Sequence, residues 1–463
     1  MKLSFRLLLL GLSAAFVLGC AEETDKKNEM SEFKVPVEYY KLDNGLKVIL
    51  SQDKTSPTAI VAVYYNIGFR IEPKDRTGFA HLFEHMMFQG SKNLGKMEFV
   101  KLVQQNGGVL NGSTRFDFTN YFEIVPSHKL ETMLWAEADR MRGLDISQDN
   151  LTNQQGVVKN EVKVNVLNQP YGGFPWLDMP QYANTNWYNA HNFYGDLEDL
   201  DAANLEDVAS FFKTYYAPNN AAISIVGDFE VGETKEWIEK YFGNIPASEL
   251  PEKPDISEPK QTEEKTFVKN DSLANKPAIA LAYHMPERNT PEYYAMGLLD
   301  QILVQGDNSL LAQKLVKDNG YTSNVNGGIN YLGNMFNYNG PMLWMYNLTY
   351  DQETSKEDIL NAVEEVMTEL KTSISQEMID RAIVKIRSQL YDNIGGTFGL
   401  GRADLLCSFA LFDDDPQRIN TLEEEFKKIS PETVKSVIDD YLIATNRTIL
   451  EVNPLLAENE KTN

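Results

Sequence analysis

The same order of elements occurs twice in this chain, and that repetition narrows the folds open to it more than any other feature. A branched apolar run, TAIVAVYYNIGF, leads through a polar turn into the helical stretch GFAHLFEHMMFQGS. NGGVLNGSTRFDFTNYFEIVP follows, a glycine turn opening into alternating strand residues. Further on, KPAIALAYHM leads into TPEYYAMGLLDQILVQG and then NGYTSNVNGGINYLGNMFNYNG. Between the copies lies PASELPEKPDISEPKQTEEK, which is rich in Pro, Glu and Lys, lacks apolar periodicity and has linker composition. Segments with i, i+3, i+4 apolar spacing frame both copies, among them HKLETMLWAEADRMRGL and SKEDILNAVEEVMTELKT. Helices mixed with alternating strands predict α+β halves over 39–246 and 266–455, joined by a linker at 247–265, rather than a doubly wound parallel sheet.

The first 20 residues stand apart. Lys2 and Arg6 precede an apolar stretch, Leu7 through Leu18, too short for a good membrane span. Val17-Leu18-Gly19-Cys20 resembles a bacterial lipobox, in which the Cys receives lipid and becomes the mature N-terminus. Residues 1–20 are therefore read as a lipoprotein-type signal and 21–38 as a polar tether. The expectation is a lipid-anchored protein of the bacterial cell envelope. Ala21 follows Cys20, not the Asp that commonly retains lipoproteins in the inner membrane, which favours the outer membrane. Net charge is −24, which argues against nucleic acid, because phosphate binding needs a basic face. With Cys20 acylated, Cys407 is the one remaining thiol; in ADLLCSFALF it reads as a small buried hydrophobe.

Two of the five histidines fall in His81-Leu82-Phe83-Glu84-His85. On a helix, i and i+4 share a face, so His81 and His85 can converge on one ion with Glu84 beside it. Zinc suits imidazoles plus a carboxylate, and an adjacent carboxylate can take a proton from the water that the metal acidifies. H-x-x-E-H is the reverse of H-E-x-x-H. The second copy has YYAMGLLDQIL where AHLFEHMMFQG stands in the first, so one half reads as catalytic and the other as a structural repeat. His128, His191 and His284 are not read as ligands. The glycines of NIGGTFGLGRADLL follow a helical stretch rather than a strand, so a dinucleotide loop fails its context.

A third ligand is available in NQQGVVKNEVKVNVLNQPYGG. With H-x-x-E-H, 75 intervening residues and then Glu161, the chain resembles the pitrilysin-type zinc peptidases, which include insulin-degrading enzyme and the mitochondrial processing peptidase. NGGVLNGSTRFDFTNYFEIVP, LWAEADRM and FFKTYYAPNNAAISIVGDF carry the same resemblance over nearly the whole mature chain. It implies two homologous halves, each an antiparallel sheet flanked by helices. It implies zinc on His81, His85 and Glu161, with Glu84 as the base of an endopeptidase acting on extended peptides. It also implies that Asn111, Gly112, Ser113 and Thr114 form an edge strand that pairs with the substrate backbone. Many family members carry a second Glu seven residues before the zinc Glu; here that position is Gln154, which can still orient a ligand.

Relatives enclose substrate between two such two-half units. The second unit often carries an Arg and, seven residues later, a Tyr. In SLLAQKLVKDNGYTSNV those positions are Val316 and Ser323, with Tyr321 two residues early. A heterodimer with a zinc-free homologous subunit that brings the Arg and Tyr is expected, a homodimer being the alternative. The other readings are a non-catalytic peptide-binding or assembly subunit, and a small-molecule lyase of the ribosylhomocysteine type. The second half argues against the lyase, since such enzymes are small single domains.

Overall fold

A computed structural model describes residues 34–396 and 399–455; the signal segment, Cys20 and most of the tether lie outside the described residues. The first sheet has the order β1-β2-β6-β3-β5-β4, built from β1 (Glu38–Lys41), β2 (Lys47–Gln52), β3 (Thr58–Tyr65), β4 (Val109–Thr114), β5 (Thr119–Pro126) and β6 (Ala221–Gly227). The second has the order β7-β11-β8-β10-β9, from β7 (Lys265–Asp271), β8 (Ala278–His284), β9 (Asn326–Ile329), β10 (Leu343–Thr349) and β11 (Arg447–Pro454). Each sheet is antiparallel except for one pair, β2 with β6 and β11 with β7, so both are mixed. Those pairs join strands far apart in sequence, where no hairpin dictates direction. The two-half α+β reading holds, with one parallel pair in each sheet as the difference.

The helices of eight or more residues among the described residues repeat the same plan. In the first half they are α1 (Phe79–Met86), α2 (Glu98–Gln105), α3 (Leu130–Arg142), α4 (Gln148–Val162), α5 (Leu205–Tyr215) and α6 (Val231–Phe242). In the second they are α7 (Pro291–Leu303), α8 (Lys356–Ser373), α9 (Gln376–Gly395), α10 (Leu400–Asp413) and α11 (Pro431–Tyr441). α4 and α9 start alike: Ser147 accepts from the Asn150 N–H and Ser375 from the Met378 N–H.

The halves are laced together. α10 belongs to the second half by sequence yet lies against the first sheet. Tyr64 donates to Asp404 (2.9 Å), Lys47 to the Ala410 carbonyl (2.7 Å), and the Cys407 thiol sits 3.8 Å from the Ala62 carbonyl. Ala62 and Ala222 keep that face of the sheet low enough for the helix to close on it. This explains why β3 reads as a continuous apolar run: it is covered on both faces. In return Phe174, Met179 and Ala183 of the first half pack on Ala278, Ala280, Ala282, Leu450 and Val452 of the second sheet. The described residues from Pro36 onward form one compact unit. The linker-like stretch is tied down rather than loose. Glu258 accepts from Asn189 (2.9 Å), and buried Gln261 donates to the Arg447 carbonyl (2.8 Å). Among the described residues no helix is long and apolar enough to cross a membrane.

Candidate metal centre

The helix that carries the histidines is set in place from its first turn. Glu72, fully buried before α1, accepts from the backbone N–H groups of Gly78 (2.8 Å) and Ala80, two of the donors a helix start leaves free. Burial raises the Glu72 pKa, and the nearby His191 and the two N–H bonds oppose that rise. His191 itself bonds the Phe69 carbonyl and serves this scaffold, away from the ligands.

From α1, His81 and His85 meet Glu161 of α4. His81 Nε2 and His85 Nε2 are 3.3 Å apart; Glu161 Oε2 lies 3.7 Å from the first and 3.3 Å from the second. Among the described residues these three form a group able to hold a metal ion. The geometry of the donor set decides whether it fits zinc. Three donors placed 2.0–2.1 Å from a tetrahedral zinc lie about 3.3–3.4 Å from one another. Two of the observed spacings match and the third, His81 to Glu161 at 3.7 Å, is slightly longer; two imidazoles plus one carboxylate are zinc chemistry. Burial pushes the His81 pKa down to about 4, against the weaker upward pull of Glu161, so the ring is neutral near pH 7, as a ligand must be. His85, above all, holds the Glu161 carboxyl below its usual range.

Glu84 is half-buried on the same face. Its Oε2 accepts from Thr114 Oγ1 at 2.8 Å. Burial raises its pKa, and the Thr114 bond is the largest opposing influence. Thr114 ends β4, which among the described residues pairs only with β5 and so forms the sheet edge. Asn111 is exposed, Ser113 donates to Asn120 (2.5 Å), and Gly112 is buried. The edge strand therefore runs up to the Glu84 carboxylate. Gln154 is buried two turns before Glu161, but its amide donates to Asn153 (2.7 Å) rather than to a ligand. Sequence reasoning missed Tyr194 and Asn165, which reach Glu161 Oε1 at 3.4 and 3.5 Å. Tyr194 was hidden in an aromatic-rich loop, and only the fold brings it to α4.

The second half has a cavity of about 1460 Å³ at the corresponding place, lined by α7, β9 and α9. Asp300, Gln301, Gln389, Val316 and Ser323 all face it.

Two sequence profiles match this chain: one described as Insulinase (Peptidase family M16) over residues 47–186, and one described as Peptidase M16 inactive domain over residues 202–385. Zinc protease PqqE of Helicobacter pylori is 25% identical over 459 residues, covering 96% of this chain and 98% of that protein. The mitochondrial-processing peptidase subunit beta of Bos taurus is 22% identical over 425 residues, covering 89% of this chain and 84% of that protein. The crystal structure of a protease from Helicobacter pylori superposes with a TM-score of 0.82 at 25% identity, covering 91% of this chain and all of that one.

Proposed function

We propose a catalytic role for this centre from a plain premise: the chain belongs to the peptidase M16 family. In this reading it is a zinc-dependent endopeptidase that hydrolyses extended peptides or unfolded segments. The observation that carries it is the spacing of His81 Nε2, His85 Nε2 and Glu161 Oε2, with Glu84 alongside. Zinc bound there supplies a Lewis acid that acidifies water and polarises a carbonyl. Glu84 takes the proton of the attacking water and returns it to the leaving amine. Thr114 occupies one oxygen of Glu84 and leaves the other for that transfer. Asn111 to Thr114 bind the peptide backbone as an added strand, which places an extended chain beside Glu84.

Zinc content and cleavage of a quenched peptide test the reading together. Glu84→Gln keeps about one zinc per chain and loses roughly 10²–10⁴-fold in turnover, the usual contribution of a general base. Glu161→Gln loses zinc and turnover together. Near-normal turnover by Glu84→Gln would sink the mechanism. The profile described as an inactive domain spans 202–385 and includes none of the four site residues; a chain that binds zinc but cleaves no peptide would favour the non-catalytic alternative.

Val316 and Ser323 stand where the family resemblance implies Arg and Tyr, and neither can donate as those do, so a zinc-free homologous subunit brings the pair. High peptidase activity from the lone chain, with only self-association by mass, would replace this heterodimer with a homodimer. Cys20 carries the lipid that holds the protein to the cell envelope, the outer membrane where the organism has one. Cys20→Ser releases the chain from membranes or stalls its processing, and unchanged detergent partitioning would remove the anchor.

A further inference from the structure

Glu161 is the weak point of the centre. Its side chain is 28% exposed, against 3% for His81 and 22% for His85, and it stands on a different helix from the histidines. A carboxylate so placed can turn about its last bond and offer either oxygen, or both, to an ion. Something must fix which oxygen faces the histidines. Gln154, the residue expected to do so, does not bond it.

Oε2 faces both imidazoles, while Oε1 points the other way, toward two donors. The Tyr194 hydroxyl lies 3.4 Å from Oε1 and the Asn165 amide 3.5 Å from it. Both contacts are long, at the outer limit of a hydrogen bond, so their contribution is to orientation more than to energy. Tyr194 is 4% exposed and held firmly. A Cβ at Gly78 would meet the Tyr194 carbonyl oxygen at 2.4 Å, and one at Gly195 would fall 2.2 Å from the Gly78 nitrogen. Both glycines have positive φ, so the loop and the entry to α1 touch backbone to backbone. The Asp196 N–H donates to Thr77 (2.8 Å), which closes the same junction.

This loop also touches the first histidine. His81 Nδ1 is buried without a partner among the described residues, so its ring is oriented by packing. Phe193 and Tyr194 supply that packing, with ring centroids 4.9 and 5.2 Å from the imidazole. Asn165 comes from the π-helical turn Lys163–Leu167 that continues α4, a local widening frequent at functional sites. A Cβ at Gly172 would lie 1.8 Å from the Val166 carbonyl oxygen, so the following loop closes directly over that turn.

We infer that Tyr194 is a positioning residue for the Glu161 carboxylate, with Asn165 as the second donor, so that Oε2 alone faces His81 and His85. Holding Oε1 away keeps the carboxylate from taking two positions on the ion and preserves the open one that hydrolysis needs. This rests on the zinc reading above.

The test is the zinc dissociation constant of the full chain, measured by competition with a chromogenic chelator, alongside the thermal midpoint of the metal-free protein. Tyr194→Phe keeps the ring against His81 and removes only the donor. It weakens zinc by about 10-fold, the lower end for a group that orients a metal ligand, and leaves the metal-free midpoint unchanged. Asn165→Ala removes the second donor and weakens zinc in the same direction. Saturating zinc restores Tyr194→Phe turnover to within about threefold. An unchanged dissociation constant in Tyr194→Phe overturns the inference and leaves the zinc reading standing. A wild-type chain that binds no zinc overturns both.

Discussion

The two halves solve the same packing problem and end with opposite chemistry. Aligning Gln89-Gly90 with Gln305-Gly306 sets His85 against Gln301, Glu84 against Asp300 and His81 against Gly297. From their matched Ser caps, Glu161 is the fourteenth residue of α4 and Gln389 the fourteenth of α9. In the first half an imidazole faces a carboxylate at 3.3 Å; in the second, Gln301 donates to Gln389 at 3.0 Å. The Gln301 amide donates directly to Gln389 with no ion between them, whereas two imidazoles and a carboxylate are left short of a shared partner. The scaffold brings two helices together at one spot, and the side chains decide whether that spot is a metal site or a hydrogen bond.

The largest test of this contrast removes one carboxylate from each half. Glu84→Gln loses about 10²–10⁴-fold in peptide turnover. Asp300→Asn, its counterpart, stays within about twofold. Equal losses in the two variants, measured on the same quenched peptide, would mean that the second half takes part in the chemistry.

A second test writes the first half into the other. Gly297→His with Gln301→His restores the i, i+4 spacing on α7, yet zinc is expected to stay near one per chain. The third position remains an amide, and a Cβ at Gly297 would meet Met335 Cε at 2.8 Å and Phe426 at 3.1 Å. Overpacking there costs about 1–3 kcal/mol, read as a lower thermal midpoint. Two zinc ions per chain would show that the second half is held back by its side chains alone.

What the sequence showed, and what it hid, follows the range of the interactions. The α+β class and the helix bearing H-x-x-E-H are written in local periodicity, so they could be read directly. The approach of Glu161 to His81 and His85 was expected from a family resemblance, because nothing local says that α4 crosses α1. The edge strand was placed correctly as a strand, but the Thr114 bond to Glu84 needed the sheet. Gln154 was chosen by its spacing from Glu161, while Tyr194, more than thirty residues on, reaches that carboxylate through a loop. The crossing of α10 onto the first sheet was equally invisible: an apolar helix does not say which sheet it will cover. The signal lay in β3, whose unbroken apolar run demands cover on both faces.

The smallest effect concerns a carboxyl that the second half keeps without a metal to use it. Asp300 is 7% exposed and accepts from the Trp344 indole at 2.8 Å and from Gln305 at 3.3 Å. Burial raises its pKa from 3.8 to about 6, and the two donors only partly offset that. The folded chain thus holds this proton more tightly than the unfolded one. The stability this gives is complete below about pH 4 and is lost as pH rises through 6, above which a charge is buried. Asn at this position keeps the oxygen that accepts from Trp344 and carries no charge. Asp300→Asn should therefore unfold like the wild type near pH 4 and be more stable by about 1 kcal/mol near pH 8, a discount on the roughly 3 kcal/mol that two pKa units allow. Denaturant midpoints at the two pH values measure it. A gain of the same size at both would place its origin in packing, and the carboxyl of the second half would then be as inert as the amides beside it.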